Sequence, residues 1–255
     1  MNLFSSPSPW LLKVPSPSST GLRLFCLPHA GSGAAAFSTW SPMLGAEVDV
    51  MPVQPPGRET RMQETPHRDM ASLIDAMWPA IAPWCNAPYA VYGHSMGAHV
   101  AYALVRRLHH LGCALPLMLI VSGARAPHLP ARQPLLCELD DDALLAAIEL
   151  RYGARFEPEV RELLLMTLPT LRADLSVVET QDARPPTPLP VPLLMLAGAS
   201  DASVPLSDAR QWERHTSEHF ELKLFSGGHF FPNTQRDAVV HCVARALAAQ
   251  RRAVA

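Results

Sequence analysis

In the run Gly93-His94-Ser95-Met96-Gly97, a serine has a glycine two positions away on either side. An apolar run, Tyr89–Tyr92, precedes it, and a segment of helical period opens at Ala98. A serine held in a tight strand-to-helix turn projects its hydroxyl clear of the sheet, and the glycines keep side chains out of the crowded backbone beside it. The free N–H groups and partial positive charge of the helix N-terminus then lie where an oxyanion would form. This is the setting of a nucleophile, and a serine hydroxyl needs a base. Of the eleven histidines, His229 follows the last predicted strand in Ser226-Gly227-Gly228-His229-Phe230-Phe231, a glycine-freed and aromatically anchored loop, and is expected to be that base. An acid that orients the imidazole belongs between the two in sequence. Asp201, in the loop Gly198–Pro205, is the leading choice; Asp208 falls in the next helix, where it would complement the dipole, and Asp182 precedes its strand.

Pro28-His29-Ala30-Gly31-Ser32-Gly33 follows the first predicted strand, and its small residues let backbone approach a ligand. The backbone N–H groups of Ala30 and Met96 are therefore the expected oxyanion donors. Neither GxGxxG nor a Gly-Lys-Ser/Thr ending is present, which argues against a phosphate loop. The side chain of His94 is expected to point away from the hydroxyl and to pack. His109, His110, His215 and His219 read as solvated, and no His or Cys spacing suits a metal.

The elements that must position these residues follow from periodicity. Short apolar runs at Leu22–Leu27, Val48–Val53, Tyr89–Tyr92, Leu117–Ser122, Leu193–Ala197 and Phe220–Phe225 alternate with helical segments at Ala34–Leu44, Asp69–Pro83, Met96–Leu111, Leu206–His215 and Thr234–Gln250. Such alternation predicts an α/β protein with a mostly parallel sheet and helices on both faces. About seventy residues between the fourth and fifth strands exceed one crossover. Helical spacing at Leu139–Leu150, Glu157–Leu168 and Thr170–Thr180 makes the insertion a helical lid, about residues 128–185, over the carboxyl edge of the sheet where such folds bind ligands. Residues 1–20 form a Pro/Ser-rich segment, and 21–255 the domain that carries the lid.

Composition removes several classes of function. The 255 residues carry a net charge of −2, which leaves no basic field for a phosphate backbone. The longest apolar stretches, Ala114–Val121 and Leu189–Ala199, fall well short of the ~20 residues of a membrane span. No basic n-region opens the chain, and the five cysteines include no CxxC pair, so a reducing cytoplasm is expected.

With these residues in place, the chain resembles the type II thioesterases, free-standing editing enzymes of nonribosomal peptide and polyketide synthases, within the α/β-hydrolase superfamily. The resemblance runs from Trp10 nearly to the C-terminus. It is carried by Leu24–Gly31, Phe37 with Trp40, Gln54-Pro55-Pro56-Gly57-Arg58-Glu59 with Arg61, Gly93–Ala98, Ser122-Gly123 with Ala126-Pro127, Leu171-Arg172-Ala173-Asp174 and Gly227–Phe231. The resemblance implies an α/β-hydrolase fold, a Ser95–Asp201–His229 triad with Ala30 and Met96 as oxyanion donors, and a lid over a channel for a phosphopantetheine arm. The implied substrates are acyl or peptidyl carrier-protein domains, and the substrate brings the phosphopantetheine, so no resident cofactor is expected. Arg58, Glu59, Arg172 and Asp174 have no role derivable from the sequence and read as solvated or salt-bridged structural residues, worth little each. Two other functions stay open: a small-molecule carboxylesterase with the same triad, since fold and elbow do not choose between oxygen and sulfur esters, and a non-catalytic partner of a megasynthase.

Overall fold

The structure, a computed structural model, describes residues 8–15, 21–181 and 185–253. Most of the Pro/Ser-rich segment 1–20, and Asp182, lie outside them. Six strands, β1 (Leu22–Leu27), β2 (Val48–Pro52), β3 (Tyr89–His94), β4 (Leu119–Ser122), β5 (Leu193–Gly198) and β6 (Phe220–Phe225), form one sheet in the order β2-β1-β3-β4-β5-β6. All five pairings are parallel. The inner strands β3, β4 and β5 are buried on both faces, which is why they read as apolar runs, whereas the half-buried edge strand β6, Phe-Glu-Leu-Lys-Leu-Phe, alternates.

Helices α1 (Trp40–Leu44), α2 (Met70–Ile81), α3 (Met96–His110), α4 (Asp141–Tyr152), α5 (Pro158–Glu179), α6 (Leu206–Arg210), α7 (Phe231–Thr234) and α8 (Arg236–Ala253) complete the architecture. Side chains alternate across the sheet. Phe25, Leu27, Val91 and Val121 share one core with Ile74, Met77, Leu104 and Leu108 of α2 and α3. Leu24, Cys26, Tyr92 and Ile120 share the other with Trp40, Val239 and Val243 of α1 and α8. No helix of the described residues is long and apolar enough to cross a membrane.

Two predicted helices are broken in the structure. The segment Ala34–Leu44 divides into a 3-10 turn (Ala34–Phe37) and α1, in whose first turn Pro42 sits, where its missing N–H toward the carbonyl of Ser38 costs no helical bond. Leu206–His215 likewise divides into α6 and a 3-10 turn, Gln211–His215. The predicted helix Thr234–Gln250 is α8, which starts at Arg236, after the short α7, and runs on to Ala253. The opposite occurs between β4 and β5, where two predicted helices fuse into α5 across Pro169. The helical bond that Pro169 cannot donate to the Leu165 carbonyl is lost on an exposed turn, Leu165 being 44% accessible. Helices α4 and α5 share their own small core of Leu144, Leu145, Ile148, Leu168 and Leu175 over the carboxyl edge of the sheet.

Candidate active site

Each chemically promising residue follows the end of a strand on that same edge: the 29–33 loop after β1, Ser95 after β3, Asp201 after β5 and His229 after β6. Ser95 has φ 54° and ψ −116°, a conformation rarely adopted by a residue with a side chain, and its carbonyl accepts from the Ala98 N–H as α3 begins. The flanking glycines permit it. A Cβ on Gly93 would lie 2.0 Å from the Gly97 carbonyl oxygen, and one on Gly97 2.2 Å from that of Leu27.

Ser95 Oγ lies 3.0 Å from His229 Nε2, and His229 Nδ1 lies 2.9 Å from Asp201 Oδ2. The imidazole and the carboxylate are both buried. Burial alone would raise the Asp201 carboxyl, but hydrogen bonds and charge from His229, together with two hydrogen bonds from Ser203, outweigh it and hold the group below the usual aspartate range. Asp208 stands elsewhere, as expected: its carboxylate meets Arg125 at 2.6 Å on α6. Ala30, Met96, Ser95 and His229 line one cavity of about 340 Å³, roofed by Ile148, Tyr152 and Leu171 of the lid.

Two neighbours of the histidine are not evident in the sequence. Ser203 Oγ donates to Asp201 Oδ1 at 2.5 Å and lies 3.0 Å from His229 Nδ1, while the Ser203 N–H reaches the same carboxylate oxygen at 2.9 Å. The signal that could have found it is its place two residues after the aspartate, the geometry of an Asx turn. Tyr152, the last residue of α4, lies against the His229 ring at 4.6 Å between centroids.

His94 is buried, with Nδ1 3.0 Å from Ser122 Oγ, and packs on the His229 ring at 5.2 Å. Gly123, at φ 56°, makes room for it, since a Cβ there would lie 2.4 Å from the ring. The solvated reading of His215 is corrected: it is 2% exposed, with Tyr102 Oη 2.8 Å from Nδ1 and His128 Nδ1 2.8 Å from Nε2. It ends a helical turn tucked beneath the fully buried Trp212, a placement that its polar sequence neighbours conceal.

Burial, followed by the positive charges of neighbouring groups, drives His94 well below its usual 6.5 and His215 to about 3. The unfolded chain protonates both near 6.5 and the folded chain does not, so stability is full above that pH and is lost as pH falls below it. The loss is at most about 1.4 kcal/mol per pH unit for each histidine. The urea unfolding midpoint is expected to be lower at pH 5.5 than at pH 7.5, and equal midpoints would contradict the buried, neutral assignment.

Of the two readings given for Arg58, Arg172 and Asp174, solvated or salt-bridged, the second holds. Arg58 and Asp174 are 5% and 4% exposed and form a two-pronged ion pair of 2.6 and 2.8 Å. Arg172 bonds the carbonyls of Cys137 and Leu139 and the Asp141 carboxylate, strapping α5 to the start of α4. Glu59 is exposed, and its carboxylate accepts from the Ala35 N–H at 3.3 Å. These partners lie far away in sequence, so no local pattern announces them.

The model of the family described as "Thioesterase domain" matches residues 22–247. Thioesterase PikA5 of Streptomyces venezuelae is 39% identical over 89% of this chain and 81% of its own. The gramicidin S biosynthesis protein GrsT of Aneurinibacillus migulanus is 32% identical over 91% of each. Among solved structures, the type II thioesterase BorB from the borrelidin biosynthetic cluster superposes with a TM-score of 0.83 at 33% identity, covering 96% of this chain and 98% of that one. A family match across nine-tenths of the chain, on a sheet whose carboxyl edge carries a hydrogen-bonded serine, histidine and aspartate, identifies a hydrolase that belongs to the thioesterase domain family.

Proposed function

We propose that this enzyme hydrolyses acyl thioesters on the phosphopantetheine arm of acyl or peptidyl carrier domains, clearing aberrant or stalled groups from a nonribosomal peptide or polyketide synthase. The observation that carries the reading is the Ser95–His229–Asp201 chain at the wall of a cavity roofed by the lid. Relatives named for antibiotic biosynthesis support the substrate class.

Ser95 Oγ attacks the thioester carbonyl while His229 Nε2 takes its proton, and Asp201 holds the imidazole with Nδ1–H turned toward the carboxylate. The carbonyl electron pair moves onto oxygen, facing the N–H groups of Ala30 and Met96. Collapse of this intermediate breaks the C–S bond, and the proton on His229 passes to the departing thiol. A water, deprotonated by His229, then releases the acid and frees Ser95. No resident metal or cofactor is required, and the enzyme would act in the cytoplasm beside its synthase.

An esterase shares the fold at 16% identity, so fold alone does not choose the leaving group. The test presents one acyl group on a holo carrier protein, on coenzyme A, on a short pantetheine thiol and as an oxygen ester. Docking of a whole carrier domain supplies binding energy remote from the bond that breaks. The carrier-bound thioester is expected to exceed the others by at least tenfold in kcat/KM, about 1.4 kcal/mol of transition-state binding. Equal cleavage of the oxygen ester would favour the carboxylesterase.

A further inference from the structure

The 29–35 loop is bonded by side chains from elsewhere in the chain. Gln54 Oε1 accepts from the Ala34 N–H at 2.7 Å, and Arg58 Nη1 reaches the Ser32 carbonyl at 3.2 Å. Asp174 Oδ2 accepts from the Gly31 N–H at 2.8 Å. Asp174 belongs to lid helix α5, yet its contacts are with the body of the enzyme. One turn earlier, Thr170 Oγ1 donates to the Gly57 carbonyl at 2.7 Å. Leu171 lies against Gly31, 3.3 Å from where a Cβ would stand. Gly31, at φ 77°, is a position where a side chain would be strained, so the loop takes its path through a residue with little preference of its own. Its shape is therefore imposed by the acceptor that captures its N–H.

We propose that Asp174 is a positioning residue for catalysis: held by Arg58, it fixes the Ala30–Gly31 peptide from the lid side, so that the oxyanion donor at Ala30 is in place only when α5 is seated. The inference rests on the assignment of Ala30 to the oxyanion hole. A purely structural ion pair would not need to share a carboxylate oxygen with the loop N–H. Here Oδ2 serves both, taking Arg58 at 2.6 Å and Gly31 at 2.8 Å.

Removing one partner of a buried ion pair strands the other charge, whereas replacing both with apolar groups of like volume often leaves stability intact. The test therefore compares Asp174→Ala, Asp174→Asn and the double variant Arg58→Met/Asp174→Leu, each at a temperature where circular dichroism shows it folded. The amide of Asp174→Asn retains an oxygen that can accept from Gly31; the double variant retains no acceptor. In the double variant kcat is expected to fall about 10²–10³-fold with KM changed less than threefold, the size of effect seen on losing one oxyanion donor. Asp174→Asn is expected to recover part of that loss.

A trifluoromethyl ketone on pantetheine, to whose carbonyl Ser95 adds so that an oxyanion forms, should bind the double variant weaker by a similar factor. The matching acyl-pantetheine amide should bind unchanged. A folded double variant with kcat within threefold of wild type, or a loss confined to KM, would overturn the proposal, as would equal weakening of both ligands. Failure of the substrate reading is separable: the same comparisons can be run on any oxygen ester the wild type cleaves, and reaction of Ser95 with a fluorophosphonate reports the nucleophile independently.

Discussion

Ser95→Ala is expected to lower kcat at least 10⁴-fold, about 5.4 kcal/mol of barrier, while the unfolding free energy moves by no more than about 1 kcal/mol. The two effects separate because the hydroxyl bonds His229 Nε2, and because alanine adopts the strained turn at φ 54° no less readily than serine. Gly93 and Gly97, which permit the turn, are untouched. The measurement pairs single-turnover hydrolysis of an acyl-pantetheine with thermal unfolding of the same preparation. A variant that kept more than about a hundredth of wild-type kcat, a loss under ~2.7 kcal/mol, would exclude Ser95 as nucleophile.

Asp201→Asn is expected to cost about 10⁴-fold in kcat/KM, the scale on which serine proteases lose activity when the orienting carboxylate becomes an amide. The structure supplies the reason. Asp201 Oδ1 accepts from both the N–H and the hydroxyl of Ser203, which holds the carboxylate with Oδ2 toward the ring. An asparagine in that socket keeps its oxygen on the Ser203 donors and presents its NH₂ to Nδ1. The proton then moves to Nε2, which loses its ability to accept from Ser95. Asp208→Asn removes only a partly exposed pair with Arg125, worth at most about 1 kcal/mol of stability, and should leave kcat/KM within a few-fold. Comparable losses from the two substitutions would reverse the assignment of the acid.

The parallel sheet was legible because burial on both faces leaves strands such as Leu119–Ser122 and Leu193–Gly198 with no polar alternation to confuse them with helix. The serine turn was legible because its chemistry is local: glycine at 93 and 97 is demanded by backbone atoms within the same motif or the adjoining strand. His229 and Asp201 were singled out by chain order together with their loops after the last two strands. What supports them did not. Tyr152 reaches His229 from a lid helix whose aromatic residues look like any other apolar face, and the Arg58–Asp174 pair joins residues 116 positions apart. His215 was misjudged for a related reason, since its polar flanks give no sign that Tyr102 and His128 close over it. Local pattern reports what a segment does to its own backbone; it says little about which distant side chain arrives to meet it.

The proline within α5 bears on how lids could be exchanged between relatives. Pro169 divides the helix into an outer part and an inner part, and the inner part is already bonded to the hydrolase body through Thr170 and Asp174. A chimaera that grafts a foreign lid across residues 135–168 keeps those two anchors native, whereas one spliced beyond Glu179, where the helix ends, makes the Arg58 fork depend on whatever side chain the donor carries at position 174. The natural seam for recombination lies in the middle of a helix.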